Sequence, residues 1–117
     1  MQDEVVKALL KPESYDEKPR SIRLMQTHIS FIFLTDKYVY KVKKAVNLGF
    51  LDFTTLEKRR YYCERELELN KRLCGDMYLE VVPINKSDNF IKIKGDGITV
   101  EYAVKMRKLP QDRMMNR

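Results

Sequence analysis

The spacing of apolar and polar residues changes period several times along the chain, and those changes divide it. Over residues 3–10 (Asp-Glu-Val-Val-Lys-Ala-Leu-Leu) the pattern is that of a short amphipathic helix, with its two acids in the first turn where the helix dipole favours them. Lys11-Pro12 ends it, because the residue before a proline is pushed out of helical geometry. Glu13 to Pro19 is polar, carries a second proline and reads as a loop. From Ser21 to Lys44 the chain reads as three strands: Ile22 to Gln26, Phe31 to Leu34 and, after a tight turn at Thr35-Asp36-Lys37, Tyr38 to Lys43. In the third, Val39, Lys41 and Lys43 alternate with Tyr40 and Val42.

Asn47-Leu48-Gly49 breaks the strand pattern, and a helical period then runs from Leu56 to Leu73. Thr54 and Glu57 have capping-box spacing, with Thr54 as N-cap and Glu57 reaching back, and Gly75 supplies the stop. Leu79 to Ile84 is a fourth strand. Phe90 to Lys94 and Ile98 to Met106 are expected to pair as a hairpin around Gly95-Asp96-Gly97. The order predicts an α+β fold: one curled antiparallel sheet, one main helix on a face and a short N-terminal helix. There is no internal repeat, low-complexity tract or linker, so residues 1–117 read as a single domain.

Charge widens the choice of partner. Lys and Arg total 23 against 17 Asp and Glu, a net charge of +6 and a pI of about 9.3. That suits nucleic acid, an anionic membrane surface or a phosphorylated small molecule. Other classes fall away. No apolar run approaches the roughly 18 residues of a membrane span, and the start Met1-Gln2-Asp3-Glu4 lacks the basic residues of a signal peptide. Cys63 and Cys74 sit on one predicted helix about 16 Å apart, well past the roughly 7 Å Cα limit of a disulfide. A reduced, cytoplasmic protein is expected. One histidine and two cysteines in this arrangement do not make a zinc site, and the first glycine, Gly49, comes too late for a Rossmann or P-loop motif. His28 is expected to be structural.

The long helix carries the most informative residue. On a helical wheel the apolar arc runs through Leu69, Tyr62, Leu73, Cys63, Leu56, Cys74 and Leu67, with Glu57, Glu64 and Glu68 opposite. Glu66 falls inside the arc, between Leu73 and Asn70, with Arg59 nearby. A carboxylate aimed at a core must be paired. It is either satisfied by Asn70 or Arg59, or it orients a cation from the sheet, where Lys41 and Lys43 share one face. A strand lysine fixed by a helix glutamate is how protein kinases hold the α/β-phosphates of ATP. Chain position favours Lys41, with Lys43 as rival.

Arg65-Glu66-Leu67-Glu68-Leu69-Asn70-Lys71-Arg72-Leu73 resembles the corresponding helix of small-molecule kinases related to aminoglycoside phosphotransferases and choline kinases. A longer pattern is more specific: Thr27 to Leu34, Tyr40-Lys41-Val42-Lys43-Lys44, Leu48 to Arg60, Tyr102-Ala103-Val104-Lys105-Met106 and Pro110-Gln111-Asp112. It is similar to a bacterial and archaeal family that joins an aminoglycoside-phosphotransferase-like domain to a C-terminal P-loop ATPase domain.

The resemblance implies the N-terminal lobe of a kinase-like fold, with a five-stranded antiparallel sheet at 21–106 after an N-terminal helix and loop at 1–20. Residues 107–117 would be the hinge and the start of a second lobe. Lys41 would match the phosphate lysine and Glu66 its partner, and the backbone of Met106, Arg107, Lys108 and Leu109 would face adenine. The nucleotide would be ATP with Mg²⁺, and the parent reaction transfer of its γ-phosphoryl to a small-molecule hydroxyl. The catalytic and metal-binding aspartates would come from the C-terminal lobe, so no catalytic residue is expected in these 117 residues. Thr27-His28-Ile29-Ser30 lacks the usual glycines, and Thr27 or Ser30 hydroxyls and backbone amides would have to replace them.

The rival reading is a basic module binding single-stranded nucleic acid through Tyr38, Tyr40, Lys37, Lys41, Lys43 and Lys44, or a protein-interaction module. Tyr38 and Tyr40 are expected on opposite faces of their strand, which argues against a stacking platform.

Overall fold

The computed structural model describes residues 2–108, apart from the side chain of Cys74. The elements are α1 (Gln2–Ala8), β1 (Arg23–Gln26), β2 (Ser30–Leu34), β3 (Tyr38–Lys43), α2 (Leu56–Cys74), β4 (Tyr78–Ser87), β5 (Phe90–Ile93) and β6 (Ile98–Arg107). All six strands join one antiparallel sheet in the order β1-β2-β3-β6-β4-β5. The α+β class is as expected; the sheet has six strands rather than five.

The expected hairpin between the strands at 90–94 and 98–106 does not form. β5 folds back on β4 through a turn at Asp88 and Asn89, with Phe90 opposite Ser87. β6 then crosses to the other side of β4 and inserts between β4 and β3. The adjacent buried pairs Val100-Glu101 and Ala103-Val104 show that β6 is covered on both faces, as suits a central strand, and Gly97 permits the entry: at φ +98° it lies so close to Lys86 that an added Cβ would fall 2.0 Å from the Lys86 carbonyl oxygen.

The register divides the side chains between two layers. Val42, Ala103 and Val82 lie side by side on β3, β6 and β4 and face a core with Phe33, Tyr40, Ile84, Ile91 and Ile93. Val5 and Leu9 from the N-terminal helix and Tyr15 from the following loop cover this layer. Lys41, Val104 and Val81 occupy the next register row on the opposite face, beneath α2, where Cys63 and Leu67 pack on Val104, Tyr78 and Met106. β4 and β6 therefore serve both cores, and β3 sends its lysines to the helix side.

Tyr38 and Tyr40 share a face, as residues two apart in a strand must, and their ring centroids are 6.3 Å apart with Lys105 against both. The expectation that they part is corrected. Tyr40 is nevertheless 2% exposed and its hydroxyl donates to Glu17, so it presents no ring face to a base.

Helix α2 begins at Leu56, as expected, but its cap is one residue later than expected. Thr55 is the N-cap, its hydroxyl oxygen accepting from the Lys58 amide, while Thr54 hydrogen-bonds Asp52, so the box with Glu57 is not made. Gly75, at φ +61°, ends the helix as expected, its amide donating to the Lys71 carbonyl. The buried stripe consists of Arg59 and Cys63, flanked by partly buried Tyr62, Glu66, Leu67 and Asn70. Leu69 and Leu73, placed in the apolar arc by the wheel, are 47% and 81% exposed. Among the described residues no helix is long and apolar enough to cross a membrane.

Candidate functional site

Two neighbouring lysines converge on one carboxylate. Lys41 Nζ donates to Glu66 Oε2 at 2.8 Å, and Lys43 Nζ donates to Glu66 Oε1 at 2.8 Å. Strand alternation aims both lysines at α2, and the helical period turns Glu66 down towards them. The expectation that Glu66 meets Lys41 or Lys43 is met by both at once. Asn70 and Arg59, the competing partners, do other work. Asn70 Nδ2 donates to the backbone oxygen of Glu66, one turn back.

Arg59 pairs with Glu101 instead, its Nε 2.9 Å from Oε1, while a second guanidinium nitrogen donates to Phe53 O. Glu101 has no exposed surface and also accepts from Gln2 Nε2. Gln2 Nε2 bonds the Lys43 carbonyl as well, and Gln2 Oε1 accepts from the Ala45 amide. This network ties α1, the end of β3, α2 and β6 together and fixes the backbone that carries Lys43. Glu101 was missed because a single acid between Val100 and Tyr102 gives no periodic signal; its partners, Arg59 and Gln2, are distant in sequence.

The two lysines differ in access. Lys43 is the more buried, with 7% of its side chain exposed against 24% for Lys41, and its ammonium lies 5.2 Å from the centre of the Phe53 ring. Burial pushes the Lys41 ammonium down, but the hydrogen bond and charge of Glu66 outweigh it and leave it above the ordinary lysine range. Burial likewise pushes the Glu66 carboxyl up, and the two lysines reverse this and hold it below the usual carboxylate range. Lys41 and Glu66 are thus both charged at neutral pH, and two lysines face one carboxylate.

Two clefts meet at Lys41. One, of about 490 Å³, runs between α2 and the loop after β3 and is lined by Lys41, Lys43, Arg65 and Glu66 together with the apolar Leu51 and Phe53 among others. The second, of about 440 Å³, lies under the β1–β2 turn and is lined by Thr27, His28, Ile29, Ser30, Ile32 and Lys41. His28 is exposed at this turn and shares the cleft with Lys41, a placement that a lone histidine does not announce in sequence. The turn closes on itself: Thr27 Oγ1 accepts from the amides of Ile29 and Ser30, and the Thr27 amide donates to Ser30 O. Those two amides and the Thr27 hydroxyl oxygen are therefore engaged within the turn, and Ser30 is 3% exposed.

The segment expected to face adenine is only partly a hinge. Met106 and Arg107 still belong to β6, Met106 opposite Val39 and Tyr78 and Arg107 opposite Tyr38. The Lys108 amide donates to Lys37 O, and Leu109 lies outside the described residues. Neither cleft at Lys41 is lined by Met106, Arg107 or Lys108. Among the described residues no group of three or more His, Cys, Asp or Glu side chains is placed to hold a metal ion. Asp52, in the Asp52-Phe53-Thr54 triplet, is occupied by Lys58 and Thr54, which hold its carboxyl far below the usual range.

Comparison with known proteins finds uncharacterised relatives. Over 64 residues, 55% of this chain, it is 38% identical to the uncharacterised proteins Rv2004c and MT2060 of two Mycobacterium tuberculosis strains and Mb2027c of Mycobacterium bovis. The match spans 13% of each relative, so these proteins are several times longer than this chain. No family model matches the chain. No solved structure matches it either.

Proposed function

We propose that this chain is the nucleotide-binding lobe of a small-molecule phosphotransferase, a kinase-like N-terminal lobe that takes ATP with Mg²⁺. One observation carries the reading: the ammonium of Lys41, on a central strand, lies 2.8 Å from the carboxylate of Glu66, on the one long helix, at the junction of two open clefts. Lys41 binds the α/β-phosphates and Glu66 fixes it. Excess positive charge from Lys43 and Arg65 in the same cleft favours an anionic ligand. The adenine contact is assigned to the backbone of 106–109, apart from the Lys108 amide. The groups that would activate a hydroxyl acceptor belong to a second lobe, and the greater length of the mycobacterial relatives leaves room for one. The chain by itself binds nucleotide without transferring phosphoryl groups.

Calorimetric titration with ATP and Mg²⁺ tests this, repeated with Lys41→Met and with a single-stranded oligonucleotide as competitor. Weak, saturable ATP binding that Lys41→Met abolishes and the oligonucleotide leaves in place is the expected result. Oligonucleotide binding that displaces ATP, or occurs without it, would move the assignment to a nucleic-acid module. Mg²⁺-dependent ATP hydrolysis by the pure chain would place catalytic groups within it and overturn the lobe reading.

A further inference from the structure

We propose that Lys43 is a positioning residue: it holds Glu66 permanently, so that Lys41 is free to turn to an incoming phosphate without leaving a carboxylate unpaired. This deepens the phosphotransferase reading and rests on it for the identity of the ligand. The two ammoniums take different oxygens of one carboxylate, each at 2.8 Å. A single lysine shared between a glutamate and a phosphate would have to divide its hydrogen bonds, and any excursion towards the phosphate would strand a half-buried carboxylate. Here Glu66 keeps its second partner whichever way Lys41 turns.

The burial of the two side chains matches these roles. Lys41 lines both clefts and is the more exposed. Lys43 does not line the cleft under the β1–β2 turn, and its ammonium sits against Phe53. Its backbone is clamped as well, because the Lys43 carbonyl accepts from Gln2 Nε2 and Gln2 is anchored on buried Glu101. The groups around Glu66 are Lys41 and Lys43 from β3, Cys63 and Arg65 on its own helix and Tyr78 at the start of β4.

Two measurements on the 117-residue chain test the division of labour. The first needs no ligand: carbon-detected NMR titration of the Glu66 carboxyl in the wild type, Lys41→Met and Lys43→Met. The carboxyl is expected to stay low in Lys41→Met and to climb further in Lys43→Met; equal or reversed effects overturn the proposal. The second is the affinity for ATP with Mg²⁺. Lys43→Met should weaken it about tenfold, the loss of one charged hydrogen bond, and Lys43→Arg should recover most of that. Wild-type affinity in Lys43→Met, or no recovery in Lys43→Arg, overturns the proposal while leaving the nucleotide reading intact. Absence of ATP binding by the wild type overturns the nucleotide reading, and the Glu66 titration then decides the role of Lys43 alone. Should Lys43→Met fail to fold, Lys43→Arg decides: near-wild-type affinity with a low Glu66 carboxyl supports the role, and loss of either overturns it.

Discussion

Arg59 and Glu101 form the most deeply buried ion pair among the described residues, with 9% and 0% of their side chains exposed, and they join the long helix to the strand at the middle of the sheet. Removing one member strands the other charge in the interior. Glu101→Ala is therefore expected to destabilise the fold by about 3–5 kcal/mol, read by urea unfolding. Replacing both residues together, Arg59→Met with Glu101→Leu, should recover a large part of that loss. A double variant as unstable as the single one would show that the network's other bonds, to Phe53 and Gln2, dominate.

The Glu66 pair predicts a pH signature with two limbs of opposite sign. The folded carboxyl of Glu66 titrates below its unfolded value of about 4.3, so its stabilisation is present above that pH and lost as pH falls through the folded value. The Lys41 ammonium titrates above its unfolded value of about 10.4, so its contribution is present below that pH and lost as pH rises through the folded value. Glu66→Gln should lower the thermal midpoint at neutral pH, by a loss of about 1–3 kcal/mol, and flatten both limbs. An acid limb persists in that variant, because Asp16, Asp36 and Asp52 are also held low by their hydrogen-bond partners. Melting curves with identical pH dependence in wild type and variant would refute the energetic importance of the pair.

Two glycines with positive φ should respond unequally to alanine. At Gly75, whose φ of +61° and ψ of −127° lie outside the left-handed helical well, an added Cβ meets nothing within 4 Å, so Gly75→Ala carries only the backbone strain, about 1–3 kcal/mol. At Gly97 the same atom would collide with the β4 backbone at Lys86, so Gly97→Ala must also push β6 from its place and should cost distinctly more. Chemical unfolding of the two variants side by side ranks them, and equal losses would contradict the close approach of the Gly97 segment to β4.

Cys63 should be chemically silent in the native protein. It has no exposed surface, and burial pushes its thiol up to about 12. In a Cys74→Ser background, a thiol-reactive chromophore at mildly alkaline pH should label nothing until denaturant is added, then one thiol per chain. Prompt labelling of the folded variant would mean that α2 lifts from the sheet on the timescale of the reaction.

The parts of the structure legible in sequence are those where period and chemistry agree. Alternation in β3 puts Lys41 and Lys43 on one face, the helical period puts Glu66 on the inner side of α2, and a charge so placed demands a partner; the three meet. The wheel failed where period has no hold: Leu69 and Leu73 share the apolar arc but lie towards the end of the helix, where nothing among the described residues covers Leu73. Strand order was illegible for a different reason. Adjacency in sequence favours β5 with β6, yet β4 has ten residues and a partner on each side, so it takes both. Glu101 stayed hidden because its cause lies 42 residues away, at Arg59.

The insertion of β6 at the centre of the sheet also sets an order of events during synthesis. When the ribosome has delivered β1 to β5, the chain holds two half-sheets, β1-β2-β3 and β4-β5, with no hydrogen-bonded seam between them. Until Ile98–Arg107 emerges, β3 and β4 each present a bare inner edge, Arg59 lacks its carboxylate, and α2 lacks Val104 and Met106 beneath it. Such edges are open to pairing with other chains. Stalling or truncation upstream of β6 should therefore yield an aggregation-prone nascent chain rather than a smaller folded one, and the latest made of these six strands is the keystone of the sheet.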